Sequence, residues 1–135
     1  MVEDNRADVF LIREAIRVAR VNAELHVVSD GEKAIRFFNE VDADPALPCP
    51  DVVLLDINLP RRQGGEVLEE MRRSRRCSRA LVMVVTSSDS DADRQRMASL
   101  GADEYFRKSS EYGDFMKLGE VVKALLGRAE FSQEP

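Results

Sequence analysis

Four consecutive apolar residues, Val52-Val53-Leu54-Leu55, run straight into a carboxylate, Asp56. A surface helix or a half-exposed strand would break such a run with polar residues; a strand covered on both faces of a parallel sheet would not. Leu81 to Val85 repeats the pattern and ends at Thr86, and Glu104-Tyr105-Phe106-Arg107 is a shorter third case that ends at Lys108. Parallel strands need crossovers, and helical spacing supplies them. Val9, Ile12, Ile16 and Ala19 line one face of residues 6–20, with Asn5 as N-cap and Asp8 completing a capping-box-like pair. Asp30 caps a helix over 31–41 with Ile35 and Phe38 inward, and further helices are predicted over 64–75, 91–100 and 112–126. Residues 23–28 alternate like a strand through Ala23, Leu25 and Val27, whereas 42–50 carry Pro45, Pro48 and Pro50 and read as a loop. If the short start, Met1-Val2 before Glu3-Asp4, counts as a strand, strands and helices alternate five times. The class is α/β.

The 135 residues suit one domain. The net charge of −5, from 20 basic and 25 acidic residues, argues against nucleic acid and against a basic membrane anchor as partners. No apolar run approaches the roughly 18 residues of a membrane span, and no signal peptide opens the chain. Cys49 and Cys77 have neither CxxC nor zinc spacing and read as reduced thiols of a cytoplasmic protein.

All strands of a parallel sheet point one way, so the residues at their C-terminal ends meet along one edge, where ligands bind. Those ends hold Glu3 and Asp4, Asp56, Thr86 and Lys108. Each has a plain reading on its own: cap, turn former, surface charge. Their joint placement is what argues for a site. Three close carboxylates repel and need a partner; a hard divalent cation is the natural one, and Mg²⁺ suits one or two carboxylates plus phosphate and water. A lysine beside them suits a phosphoryl oxygen, which points to phosphoryl transfer.

Glu3-Asp4-Asn5, the run Val52 to Pro60, Val84-Val85-Thr86-Ser87, and Gly101-Ala102-Asp103-Glu104-Tyr105 with Lys108 resemble the receiver domain of bacterial response regulators over nearly the whole chain. The resemblance implies a flavodoxin-like, doubly wound, five-stranded parallel sheet of order 2-1-3-4-5 flanked by five helices, here with a shortened first strand. It implies residues 1–126 as the receiver domain and 127–135 as a C-terminal tail, with no room for an output domain. It further implies a single-domain response regulator of a two-component system. Asp56 would accept a phosphoryl group from a sensor histidine kinase in a Mg²⁺-dependent reaction, and Asp4 would be a metal ligand. Glu3 would act through a water, and Asn58 through its backbone carbonyl. Thr86 and Lys108 would bond phosphoryl oxygens, and Thr86 with Tyr105 would form the switch. The protein would signal through a downstream protein target or a phosphorelay, with self-catalysed phosphoryl transfer and dephosphorylation but no enzymatic turnover of a substrate. The stretch Glu3 to Val9 with Leu11-Ile12, and the Pro-rich loop before strand 3, are similar to single-domain regulators partnered with bacterial phytochromes, which are often homodimers.

Departures from the family pattern are informative. Ser109 stands where a cis proline usually follows the lysine, and a non-proline cis bond costs about 3 kcal/mol, so a trans bond is predicted. Only Met1 and Val2 precede the acid pair, which weakens a central strand and invites exchange between chains. Arg72, Arg73, Arg75, Arg76 and Arg79 read as a solvated helix end favoured by the dipole. His26 reads as exposed, and Met71, Met83, Met97 and Met116 as core fillers. The rival reading, an aspartyl-nucleophile phosphatase, wants a second Asp two places after the first as general acid, and Asn58 stands there. A second rival, a flavodoxin-like cofactor carrier, wants a phosphate-cradling Gly/Ser/Thr loop after strand 1, and this sequence has none there.

Overall fold

The computed structural model describes residues 1–133. Three strands form the regular sheet: β1 (Val52–Leu55), β2 (Leu81–Thr86) and β3 (Glu104–Arg107), adjacent in that order and parallel. Successive side chains alternate between two cores. Val53, Leu55, Val82 and Val84 face one, with Ala34, Phe38, Val67 and Leu68. Leu54, Met83 and Val85 face the other, with Ile12, Ile16, Phe115 and Leu125. This is why β1 and β2 read as continuous apolar runs: their positions face inward on one side or the other, whereas Glu104 and Arg107 at the ends of β3 are exposed.

The helices are α1 (Arg6–Val18), α2 (Gly31–Ala43), α3 (Gly64–Arg73), α4 (Asp91–Ser99), α5 (Tyr112–Met116) and α6 (Leu118–Gln133). The predicted helix over 112–126 is interrupted at Lys117, the C-cap of α5. It then continues past 126, so the expected tail is helical as far as Gln133, and residues 134–135 lie outside the described residues. A Cβ on Gly119 would lie 2.1 Å from the Ala15 carbonyl oxygen, so only glycine lets α6 approach α1 this closely.

The first two expected strands survive as single bridges, Val2 to Leu55 on one side and to Val28 on the other. The hydrogen bonds still spell out the order 2-1-3-4-5. Val2 N–H donates to Leu54 O (2.8 Å), Asp56 N–H to Val2 O (3.1 Å), Glu3 N–H to Val28 O (3.0 Å) and Val28 N–H to Met1 O (2.9 Å). Residues 23–28 form no ladder and meet the segment Met1 to Glu3 through the Val2–Val28 bridge.

Two readings need correction. Cys49 and Cys77 are joined in a disulfide that spans 28 residues, with Cα atoms 5.5 Å apart. The fold lays the Pro-rich loop against the α3–β2 connection, a proximity that sequence spacing does not encode. The arginine cluster is not simply solvated. Arg72 donates to the carbonyls of Ser78 (2.8 Å), Ala80 (2.6 Å) and Gly101, and pairs with Asp103. Arg75 bonds the Asp42 carbonyl, and Arg76 bonds those of Val41 and Asp44. Among the other readings, His26 is exposed beside Glu24, Met71, Met83 and Met97 are buried, and Met116 is half-buried. No cis peptide occurs among the described residues, so Lys108–Ser109 is trans.

Candidate functional site

Each strand of a parallel sheet delivers its last residue to the same edge. Asp56 follows β1 directly, and Lys108 follows β3, where its N–H donates to the Thr86 carbonyl at 2.7 Å. Val2, locked between Val28 and Leu55, carries Glu3 and Asp4 to the same place. After β1 the chain turns sharply: Gly64 N–H returns to Ile57 O at 2.8 Å. A Cβ on Gly64 would sit 2.3 Å from the Asp56 carbonyl oxygen, so glycine is needed where α3 leaves the site.

Lys108 is the hub. Its Nζ donates to Glu3 Oε2 (2.9 Å), Asp56 Oδ2 (2.9 Å) and Asp8 Oδ2 (2.8 Å). The remaining oxygens of the two buried acids meet backbone donors: Asn5 N–H reaches Glu3 Oε1 at 3.1 Å, and Asn58 N–H reaches Asp56 Oδ1 at 3.2 Å. Burial acts most strongly on Glu3 and pushes its carboxyl up, the Asp56 charge adds to this, and the Lys108 hydrogen bond opposes it. For Lys108, burial pulls downward, but the bonds to Asp8, Asp56 and Glu3 outweigh it and raise the ammonium above its ordinary value.

Glu3, Asp4 and Asp56 each offer a carboxylate oxygen, and these lie within 4.8 Å of one another. Lys108 neutralises one of their three charges, which leaves a double negative charge. Asp4 is exposed, open to solvent, while Glu3 and Asp56 are buried. An all-oxygen set with that charge fits a hard divalent cation. The cleft above the set has a volume of about 550 Å³ and is lined chiefly by Glu3, Asp4, Arg6, Asp8, Ser87 and Lys108.

Thr86 is fully buried at the end of β2, and its Oγ1 accepts the Ser88 N–H at 3.3 Å. Tyr105 is half-buried. Its Oη donates to the Ser88 carbonyl at 3.1 Å, and the Arg94 guanidinium lies 4.4 Å from its ring centroid. Thr86 and Tyr105 therefore meet through Ser88, which sequence reasoning did not single out. It also missed Asp8 as a member of the site. The signal was present, an acid one helical turn after Asp4, but it fits a helix cap equally well.

A model of the response regulator receiver domain family matches residues 1–119. The response regulator Rcp1 of Synechocystis sp. is 31% identical over 124 residues, which is 92% of this chain and 84% of Rcp1. Among solved structures, the phosphorylated cyanobacterial phytochrome response regulator RcpA is similar with a TM-score of 0.83 at 30% identity, covering 94% of this chain and 91% of that one. The Mn²⁺-bound form of Rcp1 is similar with a TM-score of 0.79 at 31% identity, covering 91% of this chain and 88% of that one.

Proposed function

The chain belongs to the response regulator receiver domain family, and from that premise we propose that Asp56 is the phosphoacceptor of a response regulator serving a sensor histidine kinase. As a receiver domain of a two-component system it is a signalling protein, and receiver domains bind a divalent metal, as the Mn²⁺-bound Rcp1 does. The observation that carries the finer reading is Asp56 itself. It is a buried carboxylate held by Lys108 at 2.9 Å, within one cluster with Glu3 and Asp4.

In the transfer, an Asp56 carboxylate oxygen bonds to phosphorus, the N–P bond of the phosphohistidine breaks, and its electron pair returns to the imidazole. Positioning and charge neutralisation supply most of the rate in such reactions. Lys108 offers an N–H to the arriving phosphoryl oxygens, and the Thr86 hydroxyl offers another donor. Mg²⁺ held by Glu3, Asp4, Asp56 and the Asn58 carbonyl would supply charge neutralisation of the phosphoryl oxygens. Movement of the Thr86 hydroxyl toward the phosphoryl group would draw Oγ1 away from the Ser88 N–H and leave space for Tyr105, so the β3–α4 surface would change shape.

The likeness to Rcp1 and to RcpA, a cyanobacterial phytochrome response regulator, supports a phytochrome kinase as partner. No described helix is long and apolar enough to cross a membrane. In this reading the protein acts in the cytoplasm on a downstream protein partner, as a homodimer. Self-catalysed dephosphorylation completes the reading.

Incubation with acetyl phosphate and Mg²⁺ tests it. A stoichiometric gain of one phosphoryl mass, lost in Asp56→Asn, is expected; steady phosphate release from many esters would instead indicate the phosphatase.

A further inference from the structure

The N-terminus of α1 has a carboxylate to spare. Asn5 and Asp8 stand at capping-box spacing, in which the second side chain would return to the Asn5 N–H. That N–H goes instead to Glu3 Oε1 at 3.1 Å, while Asn5 Oδ1 accepts the Asp8 backbone N–H at 3.1 Å. The Asp8 carboxylate is thereby free of the helix end and takes Lys108 Nζ at 2.8 Å. An ammonium has three N–H donors. Those of Lys108 all go to carboxylates: Asp8, Glu3 and Asp56.

These three are not equivalent. Glu3 and Asp56 belong to the group that can share a cation, and Asp8 does not. A cation held there neutralises its own ligands and leaves Asp8 as the full-strength anion facing Lys108. The acid trio, Lys108 and a divalent cation balance; Asp8 leaves one negative charge over. The Asp8–Lys108 pair is also sheltered, with side chains only 22% and 11% exposed, so solvent screens it weakly.

We propose that Asp8 is a positioning residue that competes with the phosphoryl group for the Lys108 ammonium and so weakens the hold of the site on that group. The inference rests on the phosphoacceptor reading of Asp56. A phosphoryl oxygen gains an N–H of Lys108 only as a carboxylate yields it, and Asp8 is the carboxylate with no other partner for its charge. The competition sets the balance between unswitched and switched states without Asp8 touching the switch residues Thr86 and Tyr105.

The test is titration with beryllofluoride at saturating Mg²⁺, read on the backbone amide resonances of residues 86–90. Asp8→Asn keeps the backbone N–H that Asn5 caps and removes only the charge. Losing one charged hydrogen-bond competitor predicts about tenfold tighter binding. Asp8→Glu restores the charge and is expected to bind as wild type does, which a purely structural role of Asp8 does not predict. A metal-free readout accompanies it: in EDTA, the melting shifts of Asp8→Asn and Lys108→Met are expected to be non-additive in the double variant. Asp8→Ser serves if Asp8→Asn does not fold. Equal or weaker beryllofluoride binding in Asp8→Asn, or Asp8→Glu behaving like Asp8→Asn, overturns the proposal. Failure of wild type to gain a phosphoryl mass from acetyl phosphate overturns the phosphoacceptor reading as well. A wild type that takes the label beside an unchanged Asp8→Asn overturns this inference alone.

Discussion

Reduction of the Cys49–Cys77 disulfide is expected to lower stability sharply while sparing the chemistry at Asp56. The bridge closes a loop of 28 residues. In the chain-entropy treatment, opening a loop of that size returns roughly 12 cal/mol/K to the unfolded chain, or about 3.6 kcal/mol at 25 °C. Unfolding entropy near 2.1 cal/mol/K per residue converts this, for a chain of this length, into a fall in melting temperature of about 13 °C. Cys77 is buried and Cys49 packs against the same core, so the thiols stay desolvated in the folded state and add no compensating hydration. The bond enters β1 at its N-terminal end, whereas Asp56 leaves it at the other, about 20 Å further along an extended chain. Labelling by acetyl phosphate at 25 °C is therefore expected to continue after reduction. The assay is a pair of thermal melts, with and without a phosphine reductant, alongside thiol titration of the denatured protein. A Cys49→Ala, Cys77→Ala double variant is expected to melt near the reduced protein and to ignore reductant. The reasoning fails if titration finds two free thiols in untreated protein, or if freeing both moves the midpoint by less than about 3 °C.

Three further perturbations follow from the same packing. Arg20 ends α1 in a Schellman motif, with Arg20 N–H on Arg17 O and Val21 N–H on Ile16 O, and its φ is 58°. Arg20→Gly is expected to gain about 0.5–1 kcal/mol by removing the Cβ penalty, read as a higher urea midpoint. Arg72→Lys is expected to lose about 2 kcal/mol, because one ammonium cannot fork between the carbonyls of Ala80 and Gly101; a wild-type urea midpoint would refute the structural role given to this arginine. Asp42 accepts from Ser74 Oγ and the N–H groups of Arg76 and Arg75, which hold its carboxyl below the ordinary range, Ser74 most strongly. That stabilisation is complete above about pH 4 and disappears as pH falls through the depressed folded value. The melting gap between wild type and Asp42→Asn is thus expected to be widest near neutrality and to close on acidification.

Asp56, Glu3, Asp4 and Lys108 were legible because a parallel sheet brings three distant strand ends to one place, and strand ends can be read locally. The sheet core was legible for the same local reason, since Val82, Met83, Val84 and Val85 are all buried. What escaped depends on contacts between segments. Residues 23–28 have the alternation of a strand, and the two faces persist, Leu25 packing toward Ile12 and Val28 toward Val2. That alternation pairs at one bridge, Val2 with Val28, and does not extend into a ladder. Asp8 has a helix-cap spacing, and only the diversion of the Asn5 N–H to Glu3 shows that its carboxylate is employed elsewhere. The arginines carry a charge-run signature, yet Arg72, Arg75 and Arg76 bond backbone carbonyls of loops and of the last turn of α2, which no side-chain pattern announces. The disulfide joins two loops whose meeting is a product of the whole fold.

Val2 ties the site to the sheet on both sides. Val2 does the work of a central strand alone: its N–H and carbonyl bond β1 and its end, its neighbours Met1 and Glu3 bond Val28, and its side chain is buried among Val53 and Leu55. Glu3 and Asp4 follow it directly and stand where it places them. On the far side, Lys108 reaches back from the end of β3 to Glu3 and Asp8 and clamps the same segment by charge. Docking of the N-terminus and neutralisation of the acid cluster are therefore two descriptions of one equilibrium. Any ligand that binds Glu3, Asp4 and Asp56 only when they are together stabilises the docked sheet by mass action. The seat of the N-terminal segment and the chemical centre thus coincide, and a bound cation or phosphoryl group acts on both.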